Sequence, residues 1–234
     1  MNNKKEFSFG SMAPEFDQHI SNSIRGYQDL RSDCVGLSQY FIQKNSKVLD
    51  IGCSSGQFLE NVRDYNQTRF SSTKYIGLDI ESGFKDHWNG RKQKNLFFKK
   101  TDIRNYDGYD NLSVVFSLFT LQFLPEKDRL PLVKKIYDGL NEGGAFILSE
   151  KLHAKNAKIQ EMLTFLYYDF KKKSFSEKKI LDKEKDIRDQ MKLWSEYKIF
   201  EMLRSAGFVT ANAQIFWRNH LFIGIIAMKP ATYR

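Results

Sequence analysis

Three carboxylates in this chain each close a short, largely apolar run: Asp50 ends "KVLD", Asp79 ends "KYIGLD" and Asp102 ends "NLFFKKTD". The first is followed at once by "IGCSSGQ", a glycine-x-x-x-glycine bend formed by Gly52, Cys53, Ser54, Ser55 and Gly56. Acids so placed can cap turns and helices by accepting backbone N–H groups. They can also bind a polar ligand beyond the carboxyl ends of parallel strands. A single such acid is more often a cap; three at successive run ends, beside a glycine bend, favour the ligand. Gly52 allows a tight turn, and Gly56 lets a helix start against a sheet without a Cβ clash. The amides from Cys53 to Gly56 would then face a ligand at a helix N-terminus. The bend is neither GxGxxG nor the GK[ST] of a phosphate-gripping loop.

Asp79 stands at the distance beyond the bend expected of a ribose-binding acid. A carboxylate there accepts hydrogen bonds from both vicinal hydroxyls and repels a ribose phosphate. Asp102 can accept from an exocyclic adenine amine while Ile103 lies against the ring. Asp50, just before the bend, suits a cationic ligand better than a pyrophosphate. These preferences point to S-adenosylmethionine, with its sulfonium and amino-acid end, rather than a nicotinamide dinucleotide. Group transfer from a sulfonium needs no covalent enzyme intermediate; the protein supplies orientation and electrostatics. No catalytic residue is assigned. Cys53 qualifies for the bend by its small side chain, His220 in "IFWRNHLF" reads as structural, and the four histidines show no metal-ligand spacing.

The elements that must position these groups follow from the hydrophobic pattern. "KVLDIG", "KYIGLDI" (Lys74–Ile80), "NLFFKKTDI", "LSVVFSLF" (Leu112–Phe119) and "AFILSE" read as strands, most of them apolar on both faces. Amphipathic segments such as "GQFLENVRDY" alternate with them. Pro125 marks a helix start and Gly143-Gly144 a helix exit. The alternation predicts an α/β, Rossmann-like doubly wound sheet. "GFVTANAQIFWRNH" and "LFIGIIAMK" close the chain as an antiparallel hairpin, giving a seven-stranded mixed sheet. A helical pattern over 15–43 is interrupted at Gly26. The reading divides the chain into a helical lid segment, 1–44, and a ligand-binding domain, 45–234, with a charged helical insertion over about 151–206. Residues 1–12 are polar and expected to be mobile.

The 234 residues, 41% hydrophobic, suffice for one sizeable core. No apolar run approaches the roughly 18 residues of a membrane span, and no secretory signal is expected at the start. Two cysteines offer no disulfide framework, so a reducing compartment such as the cytoplasm is expected. The formal charge of +9 permits tRNA or another polyanion as partner without requiring one. In "FLYYDFKKKSFSEKKILDKEKDIRDQMKLW" the lysines could follow a phosphate backbone beside Tyr167, Tyr168 and Trp194. Interleaved acids favour a solvated helical face instead. Phe165, Leu166 and Phe170 are expected to pack over the sheet or against a second subunit.

"VLDIGCSSGQF" with "YIGLDI" resembles the nucleotide-binding half of class I S-adenosylmethionine-dependent methyltransferases. "FTLQFLPEKDRLPLVKKIYDGLNEGGAFILSEK", "DFKKKSFSE" and "SIRGY" resemble the carboxy-S-adenosylmethionine synthase family, from about Phe16 to Lys229. The resemblance implies ligand contacts from Tyr27, Gly52-Cys53-Ser54, Asp79-Ile80 and Asp102-Ile103. It also implies prephenate as the donor of a carboxyl group to the sulfonium methyl carbon, a role serving tRNA wobble-uridine modification, and a homodimer. The chain departs from the family pattern at two positions. Leu118 stands where the family has an asparagine near the sulfonium, and Met202 where it has an arginine that holds the ligand's carboxylate. Methyl transfer is therefore the broad expectation, with carboxy-S-adenosylmethionine synthesis the named alternative. A non-catalytic methyltransferase-like binding module is the rival from another class.

Overall fold

The computed structural model describes residues 13, 15–91 and 93–231. Residues 1–12, with the mobility expected of them, lie outside the described residues. The seven strands are β1 (Lys47–Ile51), β2 (Lys74–Asp79), β3 (Leu96–Lys100), β4 (Leu112–Leu118), β5 (Leu140–Lys151), β6 (Ala213–Asn219) and β7 (Phe222–Met228). They form one sheet in the order β3-β2-β1-β4-β5-β7-β6. β7 runs antiparallel between β5 and β6, as the closing hairpin predicts, and the pairings from β3 to β5 are parallel.

Alternation along the buried strands feeds two cores. Leu49, Ile51, Val115, Phe146 and Leu148 pack on one face with α5 (Glu126–Gly139) and α8 (Glu196–Ala206). Val48, Val114, Phe116 and Ile147 pack on the other with α2 (Tyr27–Ser38) and α3 (Gln57–Asn66). Strands buried on both faces must be apolar throughout, which is why their sequence shows runs rather than alternation. α1 (Phe16–Ser23) precedes α2, and the break between them falls at Gly26, whose φ of 75° places it in the left-handed region. α4 (Lys85–Asn89) is a single short turn after β2.

The charged segment folds as α6 (Ala157–Lys171), α7 (Glu177–Ile187) and α8. Asn156, Ser176 and Ser195 precede them, and each side-chain oxygen accepts the N–H of the third helical residue. These caps satisfy donors that the first helical turn cannot.

Three boundaries differ from expectation: β3 ends at Lys100 rather than running to Ile103, β6 begins at Ala213 rather than Gly207, and the exit of α5 is displaced. α5 ends at Gly139, not at Gly143-Gly144, and β5 begins directly at Leu140. A Cβ on Gly139 would lie 2.4 Å from the Tyr109 carbonyl oxygen, and one on Gly144 would lie 2.9 Å from the Ser113 carbonyl oxygen. Both glycines serve close backbone approach; the double glycine sits inside the strand, beside a register shift between β4 and β5.

Arg129 on α5 ties the helix to the turn after β4. Its Nη2 donates to the carbonyls of Gln122, Leu124 and Lys192 at 3.2, 3.1 and 2.7 Å, and the side chain is buried. Arg129→Met would leave three inward carbonyls without that donor. The expected loss is about 2–4 kcal/mol of unfolding free energy, read from the urea midpoint at constant m-value.

Candidate functional site

The bend after β1 is held from every side. The N–H groups of Gly52 and Cys53 both donate to the Leu78 carbonyl, at 2.7 and 3.1 Å. Gly52 has φ +80°, and a Cβ there would lie 2.1 Å from Thr120 Oγ1. Trp88 Nε1 donates to the Ser54 carbonyl at 2.8 Å, and Arg91 Nε to the Ser55 carbonyl at 3.0 Å. Ser55 Oγ donates to Asp17 Oδ2 at 2.6 Å, which fastens α1 over the bend. Gly56 opens α3 at φ +79°, where a Cβ would lie 2.5 Å from the Phe98 ring.

The three acids have different surroundings. Asp79 is buried, and its carboxylate already accepts from the N–H of Ser54 at 2.8 Å and of Glu81 at 2.9 Å. Burial raises its pKa against those two donors. Asp50 is buried too, and burial first, then the neighbouring Asp79 charge, push its pKa up to about 7 against the pull of Arg31. A cation arriving beside Asp50 relieves this cost by favouring the charged form. Asp102 is tied down: Arg104 donates to it from Nε at 3.0 Å, Nη2 at 2.6 Å and the backbone N–H at 2.9 Å. The Arg104 hydrogen bonds hold its pKa below the ordinary value. Its oxygens cap the short turn Ile103–Asn105, so an adenine amine would have to share them with the guanidinium.

A cavity of about 400 Å³ runs along these strand ends, within the roughly 300–1,000 Å³ usual for cofactor pockets. Of the ten residues singled out by sequence, Tyr27, Asp50, Gly52, Cys53, Ser54, Asp79, Ile80, Asp102 and Ile103 line it. Gly56 does not; it packs the helix start against β3. Ile80 is 59% exposed at the cavity rim while Ile103 is buried, an apolar pair suited to the two faces of a flat base. Tyr27, at the start of α2, is buried with its ring centroid 6.2 Å from that of Phe119. Leu118 lines the cavity; Met202 is buried on α8 in the core on the other face and does not. A buried acid for a cation, a paired acid for hydroxyls, a side-chain-free bend and an apolar slot together fit S-adenosylmethionine.

Sequence reasoning missed part of the lining. Thr120 follows β4 and fills the space that Gly52 leaves open. Lys151, Lys171 and Lys183 enter the cavity from β5, α6 and α7, with Tyr167 among them. Lys151 closes β5 as Asp79 closes β2. Lys171 and Lys183 sit among solvated lysines and carry no local signal that separates them.

Comparison with known proteins agrees with this geometry. A family model described as a methyltransferase domain matches residues 48–144. The carboxy-S-adenosyl-L-methionine synthase of Staphylococcus epidermidis is 30% identical over 225 residues, covering 95% of this chain and 96% of the relative. The enzyme of the same name from Actinobacillus pleuropneumoniae is 32% identical over 233 residues, covering 96% of this chain and 94% of the relative. The chain belongs to the carboxy-S-adenosyl-L-methionine synthase family. It is an S-adenosylmethionine-dependent transferase with the class I Rossmann-like fold. Among solved structures, human N-acetylserotonin methyltransferase in complex with SAM superimposes with a TM-score of 0.61 at 15% identity, covering 99% of this chain but 61% of that one. A putative methyltransferase from Haloferax volcanii, in complex with the Trm112 activator, gives 0.64 at 15% identity, covering 95% and 98%.

The Asp50 environment has a measurable signature. The folded chain retains this proton up to about pH 7, whereas the ordinary value is 3.8. Between those values the fold binds more protons than the unfolded chain, so its stability falls as pH rises through that window. Asp50→Asn removes the titrating group. Urea denaturation of the ligand-free protein at pH 5 and pH 8 should show a smaller loss of stability for the variant. Glu150, raised to about 8 by burial, leaves a residual slope of the same sign.

Proposed function

We propose that this chain carboxylates the methyl carbon of S-adenosylmethionine, taking the carboxyl group from an organic acid such as prephenate. The observation that carries the reading is the end-to-end likeness to carboxy-S-adenosyl-L-methionine synthases. It extends over α1, α2 and the helices from 151 to 206, beyond the methyltransferase core matched over 48–144. In this reading Asp79 holds the ribose hydroxyls, and Ile80 and Ile103 enclose the adenine beside Asp102. Tyr27, with α1 and α2, forms a lid. Asp50 and the Gly52–Ser54 bend face the methionine end. S-adenosylmethionine supplies an electrophilic sulfonium whose methyl hydrogens are acidified. The new carbon–carbon bond requires that carbon to give up a proton and the donor to release its carboxyl group as carbon dioxide; in prephenate the electron pair so freed expels the ring hydroxyl as hydroxide, which takes up the proton as water. The chain's part is to hold the two reactants in register and keep water away, as the apolar residues Leu118, Phe119 and Phe222 lining the cavity would do.

Leu118 and Met202 favour a second reading, simple methyl transfer. Neither can hold a carboxylate, and Met202 lies in the apolar core. Incubation with S-adenosylmethionine, with and without prephenate, followed by mass spectrometry of the small molecules, separates the two. A prephenate-dependent gain of one carboxyl group is expected; only S-adenosylhomocysteine with a methylated acceptor would establish methyl transfer instead.

The family likeness also supports a product destined for tRNA wobble-uridine modification, in the reducing cytoplasm, and a homodimer. Ile159, Met162, Phe165 and Leu166 on α6 are exposed and form the apolar face for a second copy. Light scattering should give twice the chain mass, falling to the monomer in Phe165→Asp.

Asp79→Ala removes acceptors for two hydroxyls. Titration calorimetry should show S-adenosylmethionine affinity weakened about 100-fold or more, since charged hydrogen bonds contribute roughly 1.5–3 kcal/mol each. Wild-type affinity in that variant would remove Asp79 from the ribose.

A further inference from the structure

The cavity has two ends of opposite charge. Asp79 ends β2 and Asp50 is next to last in β1, whereas Lys151 ends β5. β2 and β5 are three strand spacings apart in the sheet order, roughly 14 Å at 4.8 Å per spacing. An adenosyl group on β2 and β3 with its methionine end at β1 leaves the β4–β5 side of the cavity for another molecule.

That side is basic and aromatic. Lys151 Nζ and Lys171 Nζ lie 4.6 and 5.0 Å from the centroid of the Tyr167 ring. The Tyr167 centroid is 5.4 Å from that of Phe222, and Phe222 is 5.9 Å from Phe119, forming an aromatic wall between the lysines and the end of β4. Lys183, on α7, reaches the same cavity, and its ammonium contacts His19 Nε2 on α1. The acid that acts on all three lysines is Glu184, whose Oε1 is 3.5 Å from Lys171 Nζ. His19 adds no compensating negative charge. Burial first, then the charges of Lys183, Lys171 and Lys179, lower its pKa to about 4, leaving it neutral.

We propose that Lys151, Lys171 and Lys183 form the subsite for the carboxylates of the second substrate, a small organic dianion whose unsaturated or cyclic body lies against Tyr167, Phe119 and Phe222. This rests on the proposed carboxyl transfer in that it supplies the donor's place. Several observations support it together. The cationic groups converge from three elements on one cavity. Each lysine is held below its ordinary value by burial, a cost that an anion would relieve. Lysines on separate elements also give a means of selection. A monocarboxylate engages only part of the set, whereas a dicarboxylate of the right span bridges it.

The test uses the full chain and the variants Lys151→Met and Lys171→Met, which keep the apolar stems. In the presence of S-adenosylhomocysteine, calorimetry with prephenate, phenylpyruvate and succinate measures binding of the acid. Parallel titration with S-adenosylmethionine, together with thermal melting, shows that the fold and the other end of the cavity are intact. The expected result is a 10- to 100-fold weaker Kd for the dianion in each variant, with S-adenosylmethionine affinity unchanged and partial recovery in Lys171→Arg. Dianion affinity equal to wild type in both variants would overturn the subsite, as would failure of the wild-type chain to bind any of the three acids. The subsite and the reaction are separable. Lysine-dependent binding of a dianion without carboxyl transfer upholds the first and removes the second. Carboxyl transfer from prephenate with unaltered KM in both variants does the reverse.

Discussion

Two carboxylates at neighbouring strand ends, both removed from water, set the terms for the rest of this site. Asp50 pairs in register with Gly77, two residues before Asp79, so the parallel pairing of β1 with β2 brings the acids together. Burying like charges side by side is unfavourable, and the fold meets the cost unevenly. Asp79 receives backbone N–H groups from both flanking turns, whereas Asp50 is left protonatable near neutrality. The bend between β1 and α3 has to be rigid for this to persist, and Trp88, Arg91 and Asp17 each hold one part of it. A cation placed beside Asp50 would offset the repulsion between the two acids.

The framework that brings these groups together was largely legible from periodicity. Strands buried on both faces announce themselves as apolar runs, and acids that close those runs fall on the same edge of a parallel sheet. The interruption at Gly26 and the closing hairpin were readable for the same reason, since each rests on local chemistry. Gly143-Gly144 misled because a double glycine signals equally a helix exit and a close approach between strands. Only the position of the Ser113 carbonyl decides between them, and that is a tertiary fact.

The acidic half of the cavity could be read from sequence and the basic half could not, for a physical reason. Asp50 and Asp79 stand out because a charge at the end of a buried run is unusual. Lys171 and Lys183 lie on amphipathic helices where every third or fourth residue is charged, and burial selects them only after α6 and α7 have docked. Asp102 shows the converse. Its position matched the expectation, but the neighbouring Arg104 occupies much of its hydrogen-bonding capacity, an arrangement that no spacing rule reveals.

The last turns of β5 carry one more consequence. Successive residues of a strand point to opposite faces, and here the two faces have opposite electrostatic needs. Glu150 turns toward Arg129 and accepts the Leu121 N–H at 3.1 Å, while Lys151 turns toward Tyr167 and the basic wall. A one-residue slip upstream would place an ammonium beside a guanidinium or a carboxylate among aromatic rings, according to its direction. A change of length between the irregularity at Gly144 and Lys151 is therefore disfavoured in this interior strand. β6, at the sheet edge, already accommodates an irregularity between Ile215 and Trp217, and it is there that descendants of this sequence are free to gain or lose a residue.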